Sequence, residues 1–148
     1  MNEEGKQLLI KDLCGRLPHG VKFMTDSELG VTYELRQIFM GNLEVLVEGY
    51  YNGMTNFDRY NIETIKPYLR PMSSMTKEEY NEYQELYDYE ERSYNQGCEF
   101  YDEWKVEIND EERLFKIADW LNAHHFDYRG LIERELALEA PEGMYNTK

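Results

Sequence analysis

The stretch that most limits what this chain can fold into is VTYELRQIFMGNLEVLVEGYY, residues 31 to 51. Two runs rich in Val, Ile, Leu and Tyr flank Met40-Gly41-Asn42, a pattern that predicts a β-hairpin. In the first run Val31, Tyr33, Leu35 and Gln37 fall on one face. In the second, Leu43, Val45 and Val47 share a face, with Glu44 and Glu48 opposite.

More strand candidates surround the hairpin. Val21 to Met24 reads as a short strand. Residues 52 to 59, with Asn52, Gly53 and Asn56, read as a loop, and a further strand is expected at Tyr60 to Ile65. Pro67 and Pro71 bracket Tyr68-Leu69-Arg70, which places that piece in extended backbone or at a sheet edge. Short strands with tight connections over about residues 20–70 predict a small curled antiparallel sheet or an open barrel.

Helices are expected on either side. Leu9, Ile10, Leu13 and Cys14 recur at spacings of three and four within residues 3–14, with Lys6, Lys11 and Asp12 between them. Gly15 is expected to end this helix in a left-handed conformation, and Pro18 to keep it from continuing. Further on, Thr76 and Glu79 form a capping box at the start of a helix over 77–92. Its apolar stripe is tyrosine: Tyr80, Tyr83 and Tyr87, with Leu86 beside them. Trp104, Val106 and Ile108 alternate as in a strand. Asn109 and Glu112 make a second capping pattern ahead of Leu114, Ile117, Ala118 and Leu121, the stripe of a helix over 110–123. A terminal segment from 127 is expected to pack back on the domain. The expected fold class is therefore α+β, as one domain over 1–148: an N-terminal helix, a β-rich part over 20–70 and a mainly helical part over 76–139. The length of 148 residues suits one domain with its own core.

Charge narrows the function. The chain carries a net charge of −14 and thirteen Tyr. That charge opposes direct nucleic-acid binding, which needs Lys and Arg to displace counterions from phosphates, and it opposes attachment to anionic membranes. Most of it lies in residues 77–112, where fourteen Asp and Glu face three basic residues among eight aromatics. Such a face suits a basic protein surface, by electrostatic steering and aromatic anchoring. The candidate partner-binding residues are Tyr87, Tyr89, Glu90, Glu91, Tyr94 and Asp102. The bland alternative is a solvated helix face whose Tyr stripe packs on the sheet.

His124-His125-Phe126-Asp127 is the other dense point. Adjacent imidazoles point apart and do not chelate one ion, whereas spacings of three or four on a helix do. The expected role is structural. The imidazoles satisfy last-turn carbonyls, Phe126 packs inward, and Asp127 caps a turn over Tyr128-Arg129-Gly130-Leu131. No nucleophile elbow, phosphate-binding loop or dinucleotide motif occurs, so no catalytic residue, metal ligand or cofactor is assigned. Arg16, Arg36, Arg59, Arg70 and Arg129 are scattered candidates for phosphate binding. Cys14 and Cys98 have no paired-cysteine spacing and are expected to be buried thiols in a reducing compartment. The segment MNEEGKQLLIKDLCGRL has acids early and no long apolar run. No signal peptide or membrane span is expected, and the expected location is the cytosol.

Three segments carry a resemblance: LLIKDLCGRLPHGVK, IETIKPYLRPMSSMT and WLNAHHFDYRGLIERELALEAPEGMY. Together they resemble a family of small uncharacterised proteins found in Bacteroidales genomes, phages and prophages, over about half of the chain. Relatives in that family usually have glycine where Glu135 stands here, which argues against a tight turn and for a helix continuing from 128 to about 139. The resemblance implies a mobile-element context, with the host cytosol as the place of action, and no chemistry. The leading expectation is a non-catalytic accessory protein that binds a host protein, with counter-defence as a context. The alternatives are a sponge for a small nucleotide signal and a metal-dependent enzyme using His124, His125 and Asp127. Homodimerisation through the tyrosine stripe also fits, since Tyr is enriched at interfaces.

Overall fold

Among the described residues six strands form one open sheet: β1 (Lys22–Thr25), β2 (Tyr33–Phe39), β3 (Glu44–Tyr51), β4 (Met54–Asn61), β5 (Ile65–Leu69) and β6 (Leu138–Glu139). The helices are α1 (Glu3–Arg16), α2 (Lys77–Asn95) and α3, residues 114–123. The structure is a computed structural model and describes residues 1–25, 32–51, 53–95 and 114–145. The strand order is β4-β3-β2-β1-β5-β6, antiparallel except for the parallel pair β5 and β6. The fold is α+β, as expected, and its sheet is open; it is mixed only through the parallel β5–β6 pair.

The predicted hairpin is β2 and β3, and Tyr33, Leu35, Val45 and Val47 are fully or almost fully buried. Gln37 does not join them. The register slips at Arg36, so the alternation changes phase and Ile38, not Gln37, turns to the core. Gly49 stands opposite Tyr33, whose ring lies 2.6 Å from where a Cβ would be, so only glycine lets the two strands close here.

Residues 54–61 are a strand and not the expected loop. A tight turn with Gly53 at φ 73 sends β4 back along β3 in continuous register from Met54 to Asn61. The expected strand at 60–65 is divided by a short 3-10 turn at Ile62–Thr64, after which β5 begins. Pro67 is in extended backbone, as expected, but within an inner strand. It pairs with Phe23, and the β6 ladder starts one residue later at Tyr68.

Helix α1 lays Leu9, Ile10 and Leu13 on the sheet core. It runs through Gly15, contrary to the expected stop; the left-handed glycine is Gly20, after a 3-10 turn that includes Pro18. Two further corrections change the meaning of its faces. Cys14 is exposed, and Asp12 is wholly buried together with Arg16. Cys98 lies outside the described residues.

A second cluster joins Ile117, Leu121 and Phe126 with Met75, Tyr83, Leu86, Trp120 and Tyr128. Leu114 belongs to neither cluster and is 60% exposed. The helix expected over 128–139 is absent. Residues 131–135 are turns, Glu135 takes φ 60, and the chain then extends into β6. The turn that glycine would favour is made by glutamate. The strand expected at 104–108 and the cap at Asn109 and Glu112 lie outside the described residues.

Candidate functional site

The chain 124–128 is held by two buried ion pairs. Arg16 is one helical turn after Asp12 and donates to both carboxylate oxygens, Nε at 2.6 Å and Nη2 at 3.0 Å. The same Nη2 donates to the Phe126 carbonyl at 2.6 Å, and Arg129 approaches Asp12 from the other side at 3.4 Å. Arg70, directly after β5, makes a second fork to Glu79, with both bonds at 2.7 Å. Its guanidinium lies over the Phe126 ring, 4.2 Å from the centroid. Backbone bonds from Arg70 N–H to the His125 carbonyl and from Asp127 N–H to the Arg70 carbonyl, both 2.8 Å, fix the segment beside β5.

The capping box is present. The Thr76 N–H donates to Glu79 at 3.0 Å, and the Glu79 N–H donates to the Thr76 hydroxyl at 3.2 Å. Glu79 thus starts α2 and neutralises Arg70 at once, and the Arg70 hydrogen bonds hold its carboxyl at about 2 despite burial.

The two histidines part ways. His124 donates from Nδ1 to the Trp120 carbonyl at 2.8 Å and stacks on that indole, so it closes α3 as expected. His125 does not satisfy a helix carbonyl through its ring. It adopts φ 63, is 8% exposed, and stacks on Tyr145 at 3.7 Å between centroids. Its Nδ1 has no hydrogen-bond partner among the described residues. Burial, helped by the charge of Arg16, pushes it down to about 3. Asp127 accepts from the N–H groups of Leu131 at 2.8 Å and Ile132 at 2.9 Å, which is its capping role. Both Asp127 oxygens are therefore engaged. Among the described residues no group of three or more His, Cys, Asp or Glu is placed to hold a metal ion.

The arginines named as phosphate candidates are each beside a carboxylate. Arg16 and Arg129 meet on Asp12, Arg36 lies between Glu34 and Glu48, Arg59 is beside Glu44, and Arg70 forks on Glu79. The charge of each is thus already offset by a neighbouring carboxylate.

The acidic tyrosine-rich window starts on α2. Tyr83 and Leu86 of the expected stripe pack inward, Glu79 is buried where Tyr80 was expected, and the side chain of Tyr87 lies outside the described ones. Tyr80 is 51% exposed because the Arg70 fork draws Glu79 inward at the neighbouring position. Beside Tyr80 is a cleft of about 450 Å³ lined by Met72, Met75, Lys77 and Tyr83. A second cleft of about 620 Å³ shares Met72 and Tyr83 with it and continues past Tyr128 and Ile132. Glu78, Glu82 and Glu85 are exposed on the same helix. Tyr87, Tyr89, Glu90, Glu91 and Tyr94 lie on the later part of α2, and their side chains fall outside the described ones. Asp102 lies outside the described residues altogether. The buried Asp12 and Tyr145 had no place in the sequence-derived site, and Arg70 entered it only as a candidate for phosphate binding. The four-residue spacing of Asp12 and Arg16 was the one available signal.

Among the described residues no helix is long and apolar enough to cross a membrane. No protein-family model matches the chain, and neither a curated protein nor a solved structure matches it.

Proposed function

We propose that this chain is a non-catalytic binding protein whose partner is another protein, engaged through the acidic, tyrosine-bearing face of α2 and the clefts beside its first turn. The observation that carries this reading is Tyr80. It is half exposed beside Met72, itself 38% exposed, on a helix that also exposes Glu78 and Glu82. Tyrosine beside a cleft provides anchoring surface at small entropic cost, methionine adapts its shape to a partner, and the surrounding carboxylates select a basic rim on that partner. Tyr87, Tyr89, Glu90, Glu91, Tyr94 and Asp102 extend this surface in the proposal. The resemblance to a phage and prophage family makes a host protein the partner of choice, with counter-defence as the setting. The neutralised arginines weigh against a nucleotide sponge.

The test is co-purification of the tagged chain from host lysate, followed by measured affinity for the protein recovered at near-equal amount. Tyr80→Ala and Glu90→Lys with Glu91→Lys are each expected to weaken that affinity about tenfold or more while melting behaviour is kept. Unchanged affinity in these stable variants refutes the surface. A rise in melting temperature of several degrees with a cyclic nucleotide refutes the class, since ligand at 100 times its dissociation constant stabilises a fold by about 2.7 kcal/mol.

A further inference from the structure

Among the described residues no strand pairs with the outer edge of β4. Strand β4 ends the strand order and holds its register with β3 over all of Met54–Asn61, with no bulge, proline or lysine to blunt it. On one face of this edge Tyr50 is 71% exposed and Phe57 59%, and Met54, 66% exposed, stands on the opposite face at the start of β4.

The direction of the backbone groups follows from one bond. The Ile62 N–H donates to the Leu43 carbonyl at 2.9 Å, and these two residues continue the β3–β4 register. Hydrogen-bonded pairs alternate in an antiparallel ladder, so even-numbered residues of β4 address β3. Thr55, Phe57, Arg59 and Asn61 therefore turn their N–H and C=O groups to the outer edge. A two-fold axis normal to the sheet pairs β4 with a second β4 and keeps each face on its own side, which requires the axis to pass through a residue. Two residues lie nearest the middle of the strand. An axis at Asp58 sets two Asp58 carboxylates directly opposite each other, which is destabilising. An axis at Phe57 sets Phe57 against Phe57, Thr55 against Arg59, Asn56 against Asp58 and Met54 against Tyr60. It has no like-charge pair and about six main-chain hydrogen bonds.

We infer that this chain forms a two-fold dimer through antiparallel β4–β4 pairing centred on Phe57, independently of the α2 surface. The net charge of −14 on each copy opposes association, so the dimer tightens as salt rises.

Sedimentation velocity on the full chain over a wide concentration range tests this. The expected result is a monomer–dimer equilibrium that shifts to dimer with added salt and is lost in Phe57→Lys and in Thr55→Pro. The proline removes an edge N–H without touching the β3 ladder. A wild-type chain that stays monomeric throughout, or a dimer that survives Phe57→Lys, overturns the proposal. Cysteine crosslinking in a background with Cys14→Ser and Cys98→Ser covers the case of a variant that fails to fold. Facing α-carbons of a hydrogen-bonded pair are about 5.5 Å apart, within disulfide reach. Phe57→Cys is expected to crosslink in preference to Tyr60→Cys, and equal crosslinking of both counts against the register.

Discussion

Replacing His125 by Phe should abolish most of the acid sensitivity of this fold between pH 7 and pH 5. The imidazole is stacked on Tyr145, 8% exposed, with no hydrogen-bond partner for Nδ1 among the described residues and a folded-state value of about 3. In the folded chain it stays neutral at pH 5. In the unfolded chain, near its ordinary value of about 6.5, it takes up a proton. The unfolded state then binds more protons, so stability falls as pH drops through 6.5 and goes on falling towards 3. Each pH unit in that window costs about 1.4 kcal/mol, and the step from pH 7 to pH 5 costs about 2 kcal/mol from this residue alone. For a domain of this size that is a fall of about 4–8 °C in melting temperature. His125→Phe keeps a flat ring against Tyr145 and removes the titrating nitrogen. Urea unfolding of both proteins at the two pH values and equal ionic strength is the assay, with the loss nearly absent in the variant. Glu79, held near 2, loses its contribution only as pH falls through about 4.5, below this window. An equal loss in both proteins refutes the burial argument for His125.

Asp12→Asn leaves the wholly buried Arg16 without its counter-charge and should cost about 3–5 kcal/mol by denaturant titration, whereas a joint Asp12→Leu and Arg16→Met replacement should recover most of that. Glu135→Gly relieves a left-handed residue at an exposed turn. It should stabilise by about 1 kcal/mol, seen as a higher midpoint at unchanged urea slope. Thr76→Ala removes half of the capping box and should cost about 1 kcal/mol, with the helical signal of α2 falling first on heating.

What could be read from the sequence depended on whether a segment had one buried face. The β2–β3 hairpin was legible because Tyr33 and Leu35 alternate with Glu34 and Arg36, and Val45 and Val47 lie between Glu44 and Glu48 in a run rich in strand formers. Strand β4 was not, because its half-buried face carries Asn56 and Asp58 beside Tyr60 in place of an apolar row, and its Asn and Asp residues resemble a loop. Asp12 looked solvated because charge was weighed one residue at a time, while Arg16 one turn later makes burial of the pair tolerable. The same oversight exchanged Tyr80 for Glu79 on α2: Arg70 sits nine positions earlier across a turn that no periodicity reveals. The capping box and the turn after Asp127 were legible because both are local hydrogen-bond patterns. The turn at Glu135 was misread for the opposite reason, since glutamate is a poor left-handed residue and the surrounding fold imposes the conformation.

The Arg16 guanidinium and the Phe126 carbonyl it holds are separated by 110 positions. At ordinary translation rates of about 5–20 residues per second, roughly 5–20 s pass between synthesis of the two. During that interval the ribosome has already released β2, β3 and β4, whose pairings are between neighbours, while α1 has only Asp12 to hold its arginine. The order of synthesis therefore exposes the β4 edge well before α1 is locked in place, and the crowded neighbours of that edge on a polysome are other copies of the same strand.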